Sequence, residues 1–340
     1  MSSWRERRRE SCYWLWMDFG ELESKNNREI LSRAMTAKQT DLRFALRQAL
    51  GATSPPKDVT QEPFEGDPSH LRRLLRLQPG ERPRPDDLYA YLNDLNYTEI
   101  SSSLFVYLLP ICLEMWRNDL RGIDMSCSGA VEYFYPVLAN RKVFGLHLTP
   151  KQTAKVSEFM REVILEEIDD QRGLHFQGSR TRPYRWFGEA ATYGVILPDI
   201  ERLWAPWWSI ASVGRAIATI QYISCLMYSE HENPIFAPWT PNGGGGPPCL
   251  WEFEGHLYEN NWIESNVAFL RRFLTVDHVE RVLVQAVERL VGQPEHQIAA
   301  EVHADFPLCA ATVETRCADL PHILQTTQTP GRAGAWPTSG

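Results

Sequence analysis

The side chains best equipped for chemistry sit in one short stretch, where Glu252, Glu254, His256 and Glu259 follow Trp239, the glycines Gly243–Gly246 and Trp251. Carboxylates around an imidazole can ligate a divalent metal or exchange protons with a substrate. If the stretch is extended, Glu252, Glu254 and His256 share one face, because strand side chains alternate with a period of two. Trp251, Phe253 and Leu257 can all lie opposite only if Gly255 introduces a bulge or turn. The same alternation describes an ordinary half-buried strand with solvated glutamates, and that reading is preferred. Trp239, Trp251, Glu252, Glu254, His256 and Trp262 are therefore a candidate binding set, with no catalytic role, metal or cofactor assigned. The glycine run invites a phosphate-loop reading, but Pro247 and Pro248 stand where Lys, Ser/Thr and a helix are required. It reads as a mobile or turn-forming loop, which its flanking Trp239 and Trp251 would make a lid over an aromatic pocket if a ligand binds there.

Two further patterns are weaker. His303, Cys309, Cys317 and His322 have the side chains of a zinc site but no Cys-x-x-Cys pair, and His296 and His303 stand seven apart where a zincin needs four and a glutamate. No Gly-x-Ser-x-Gly elbow is present. Trp204, Trp207 and Trp208, at spacings of three and four, read as one packed helical face.

These residues need elements to hold them, and 340 residues with 43% hydrophobic and 23% charged side chains suffice for a large core and about two domains. The reading is mainly α, a multi-helix bundle-like architecture with a short irregular or β-containing Trp/Gly/Pro-rich insertion. Thr36 caps a helix to Leu50 with Leu42, Ala45, Leu46, Ala49 and Leu50 on one face, ended by Gly51. A proline-rich linker covers 52–70. Leu88, Leu92 and Leu95, then Leu104 to Met115, return to helical spacing, with a kink or restart expected at Pro110. Thr149, Pro150 and Gln152 open a helix by a capping box, and its acidic end at Glu166–Asp170 needs a basic neighbour, Arg172 or another segment. The apolar run from Trp204 to Tyr228 reads as one buried soluble helix, since Arg215 near its centre opposes a membrane span. Further helices cover Val267–Phe273, Thr275 or Asp277 to Leu290, and Pro294 to about His303, with a disordered tail over 325–340. Expected domains are a helical 1–172 and a Trp-rich acidic 173–324.

Residues 186–262 hold seven of the twelve tryptophans and eight acids against Arg202 and Arg215. With a net charge of -8 overall, phosphate neutralisation has too few cations, so nucleic acid and anionic membrane are not expected partners. Seven dispersed cysteines and the absence of a signal-like start point to the reducing cytoplasm.

Phe105–Pro110 in an apolar helix, Tyr133–Pro136, and Leu148–Gln152 opening an amphipathic helix together resemble a bacterial domain family of unknown function, over about residues 86–168. The shared residues serve packing and capping, and the resemblance brings no catalytic residue with it. Because such families often neighbour toxin and immunity systems, it implies partner binding. The expectation is a non-enzymatic recognition protein that meets a protein partner through the acidic aromatic surface, immunity- or antitoxin-like. The alternative is a hydrolase-type enzyme with a carboxylate/His or metal site near Glu252–His256 under the glycine loop.

Overall fold

Thr149 opens the helix around which much of the body is arranged. Its side chain accepts from the Gln152 amide at 3.3 Å, the Gln152 side chain accepts from the Thr149 amide at 2.9 Å, and Pro150 occupies the first turn. The box satisfies two amides that a helix start otherwise leaves open, and proline there has no intrahelical bond to lose. The computed structural model describes residues 42–57, 63–64, 66–78, 81–122, 134, 137–138, 143–175, 182–228, 233–235 and 262–325.

Twelve helices and no strand lie among the described residues, so the protein is mainly α and bundle-like. They are α1 (42–50), α2 (Ser69–Leu75), α3 (Pro85–Tyr97), α4 (Ser102–Leu120), α5 (Val143–Leu146), α6 (Pro150–Asp169), α7 (Arg182–Ile196), α8 (Glu201–Trp207), α9 (Val213–Met227), α10 (Glu264–Phe273), α11 (Val276–Arg289) and α12 (His296–Gln325). α2 packs on α3. α6 packs on α4, α5, α7, α8 and α9, and α9, α11 and α12 pack on one another with α10 against α12. No helix among the described residues is long and apolar enough to cross a membrane.

The acidic end of α6 is compensated as its charge requires. Arg121 reaches Glu166 and Asp170, both at 2.8 Å, and Arg172 donates to the Asp169 carbonyl at 3.1 Å. Arg215 binds Asp169 through two nitrogens at 2.8 and 2.9 Å and donates to the Pro206 carbonyl at 2.7 Å. The charge inside the apolar run is therefore a paired tie between α9 and α6.

Three local expectations change, and a fourth, the kink or restart at Pro110, loses its second alternative. The buried face of α1 runs through Arg43, Leu46 and Leu50, while Ala45 and Ala49 are exposed. Arg43 is interior because Nε meets the buried Glu114 carboxylate at 2.6 Å and Nη1 donates to the Glu81 carbonyl at 2.9 Å. α4 passes through Pro110 without a restart; the proline is itself buried in the core face. The run from Trp204 to Tyr228 is two helices, because Ile210 turns the chain at φ 54 and Ser212 starts α9 by accepting from the Arg215 amide at 3.1 Å. Both halves are buried, so hydropathy alone carries no mark of the break. The last helix does not stop near His303 but continues to Gln325 through Pro307 and Pro321. Its stripe of Ala299, Val302, Phe306, Val313, Cys317, Leu320 and Leu324 is buried at helical spacing, and that tertiary burial outweighs the two lost hydrogen bonds.

Candidate functional site

The described half of the tryptophan-rich region forms a connected set of rings. Trp186 lies edge-on to Trp207 at 4.8 Å and 78°, Trp204 meets Tyr222 at 5.0 Å and 87°, and Trp207 meets Tyr222 at 5.4 Å and 84°. Trp208 extends the set to Phe273 at 5.4 Å and His278 at 5.6 Å. Near-perpendicular rings bring positive edges to negative faces, a favoured geometry beyond the area buried. Trp204, Trp207 and Trp208 are core, as their spacing predicts, and Trp186 joins them from α7.

The frame that holds α7, α8 and α10 together is Asn266, which is buried. Its Nδ2 donates to the Gly194 and Leu197 carbonyls at 3.0 and 2.8 Å, and its Oδ1 accepts from the Ile200 amide at 3.0 Å. One side chain thus satisfies carbonyls that the end of α7 leaves open and an amide at the start of α8. The Trp262 amide donates to the Leu324 carbonyl at 3.0 Å and the Ile263 amide to that of Gly194 at 3.1 Å, so Trp262 is fastened between α7 and α12.

Trp262 is half-buried and lines a cavity of about 20 Å³ with Trp186, Trp204, Trp207, Leu320 and Leu324. That volume holds roughly one water-sized group. The indole N–H groups of Trp186, Trp204, Trp207 and Trp208 are buried without a hydrogen-bond acceptor. An unmet donor in the interior costs about 1–3 kcal/mol; three of these tryptophans, Trp186, Trp204 and Trp207, also line the cavity, whose walls are apolar and aromatic. Among the described residues its lining contains no acid, base or nucleophile beyond the Tyr222 phenol, whose ionisation burial pushes far upward.

Of the candidate binding set, the structure describes Trp262. Trp239, Trp251, Glu252, Glu254 and His256 lie outside the described residues, as do the glycine loop, its expected strand and nearly all of the tail. His296, His303, Cys309, Cys317 and His322 are all carried on α12, and among the described residues no group of three His, Cys, Asp or Glu side chains could hold a metal ion. Gly194, Asn266, Tyr222 and Leu324 were not legible as site residues. None belongs to a motif, and they meet Trp262 or the ring cluster only through the packing of separate helices.

One other polar cluster is built into the same frame. Asp199 Oδ1 accepts from Tyr193 at 2.8 Å and Ser157 at 3.1 Å, and the two hydroxyls are 2.5 Å apart. Asp199 holds a left-handed backbone at φ 70, which an aspartate tolerates better than a branched residue. Burial, with the nearby carboxylate, raises the Tyr193 phenol, so this triad of oxygens ties α6 to α7 and the following turn in its neutral-hydroxyl form.

No family model, curated protein or solved structure matches the chain.

Proposed function

We propose that this chain is a recognition protein, not an enzyme, that binds a protein partner with Trp262 at the contact. The observation that carries the reading is the position of Trp262: partly buried, fixed through its own amide, and lining an apolar cavity. Tryptophans anchored beside well-packed pockets are where interface energy concentrates. The preceding sequence supports the same reading, since Trp239, Trp251, Glu252, Glu254 and His256 approach Trp262 along the chain in a region with eight acids and two arginines. Such a charge balance favours a basic partner. The finer reading is an immunity- or antitoxin-like factor working in the reducing cytoplasm, supported by the charge and by seven dispersed cysteines.

The test is a photo-crosslinking residue placed at 262, compared with one at exposed Phe44. The expected result is one basic protein captured from position 262, absent from position 44 and weakened by salt. In addition, Trp262→Ala should reduce affinity for that protein by about tenfold or more while far-UV circular dichroism stays unchanged. Equal capture from both positions, or capture from neither, overturns the reading.

A further inference from the structure

We propose that His70 and Asp94 form an acid-tightened clasp that governs how firmly the exposed Phe64–Tyr97 ring pair is held on α3. The inference is independent of the recognition reading and concerns the opposite, N-terminal end of the described chain.

The geometry is specific about protons. His70 Nδ1 lies 3.0 Å from the Asp67 carbonyl oxygen and Nε2 lies 2.6 Å from Asp94 Oδ2. A carbonyl and a carboxylate can only accept, so both contacts are hydrogen bonds only when both ring nitrogens carry protons. A neutral imidazole has one N–H and must surrender one of the two bonds. The pair is interior, with side-chain exposures of 7% for His70 and 2% for Asp94, so water does not readily replace what is lost.

Asp94 is also the anchor of the ring pair. Its Oδ1 accepts from the Phe64 amide at 2.7 Å, and the Phe64 ring stacks on Tyr97, three residues further along α3, at 4.7 Å and 30°. Both rings are more than half exposed, at 52% and 55%. A single carboxylate therefore holds α2 through one oxygen and the aromatic display through the other.

The groups that act on His70 are Asp67 from its own turn, through its carbonyl, and Asp94 and Asp87 from α3. Arg73 is engaged with Asp87 by three contacts of 2.7 to 2.9 Å. Burial opposes a charge on His70, but the hydrogen bond and charge of Asp94, the Asp67 carbonyl and the Asp87 charge outweigh it and raise His70 above its ordinary 6.5. A histidine raised by folding contributes stability that is complete below 6.5 and lost as pH rises through the folded value. The clasp is therefore closed in mild acid and loosens towards alkaline pH.

Two measurements on the full chain decide it. Nitrogen-15 shifts of the His70 ring should show both nitrogens protonated at pH 6 and a midpoint above 6.5. The hydrogen-exchange protection factor of the Phe64 amide should fall as pH rises, by roughly tenfold for each unit that separates the folded midpoint from 6.5. His70→Gln should abolish that pH dependence, and Asp94→Ala, which removes both acceptor oxygens, should return the His70 midpoint to 6.5 or below and expose the Phe64 amide at every pH. A His70 midpoint at or below 6.5 in the unmodified chain overturns the proposal, as does a pH-dependent Phe64 protection that survives His70→Gln.

Discussion

The Trp262 indole lies flat against Gly194, so close that a β-carbon there would fall 2.6 Å from three ring atoms. This contact explains a glycine within α7 where a helix former is otherwise favoured. Gly194→Ala is expected to displace the ring and destabilise the protein by about 1–3 kcal/mol, despite the better helix propensity of alanine. Urea unfolding measures the loss. In a double-mutant cycle, Trp262→Ala should absorb most of the Gly194→Ala penalty because the clashing ring is gone.

Gly214 has less room to yield. A β-carbon on it would sit 2.1 Å from the Asp169 carbonyl oxygen and 2.5 Å from that of Ile168, so helix backbone rather than a side chain would have to move. Gly214→Ala should cost more than Gly194→Ala, at least about 3 kcal/mol, at the upper end of overpacking effects. It should also part Arg215 and Ser212 from Asp169. Thermal unfolding of the two variants side by side tests the order.

Arg43 and Glu114 are 4% and 1% exposed and joined at 2.6 Å. Removing one partner strands a buried charge, so Glu114→Leu or Arg43→Met alone should lose about 3–5 kcal/mol. The double variant should recover much of this, since apolar replacement of a buried pair is often neutral. Chemical denaturation of the two single variants and the double variant closes the cycle.

His278 responds to acid in the sense opposite to His70. Burial, then the charge of Arg281, lowers its affinity for a proton below the ordinary 6.5, and Nε2 is buried without a partner beside Trp208 and Phe273. A histidine lowered by folding contributes stability above 6.5 that is lost as pH falls through the folded value. His278→Gln should therefore gain melting temperature relative to the wild type as pH drops below 6.5, and the difference should be smallest above 7.5, about a unit beyond the free midpoint.

What the sequence by itself determined is what rests on neighbours along the chain. Thr149 and Gln152, and Thr275 with the His278 amide, are caps closed within one turn. The stripes of α3, α4, α6 and α11 are periodic, and Trp204, Trp207 and Trp208 are interior because three- and four-residue spacing puts them on one face. Such signals depend on local geometry alone and are therefore readable from spacing. Tertiary structure decided the rest. Ser212 became a cap and Ile210 a turn inside an unbroken apolar run once Asp169 and Arg215 were brought together. Arg43 became interior, against the expected alanine face, because Glu114 lies 71 residues away in the chain and beside it in space. Trp262 rests on Gly194, and His70 meets Asp94, through distances that no spacing rule encodes. Periodicity states which side of a helix seeks the interior, whereas the partner waiting there follows from how separate helices close on one another.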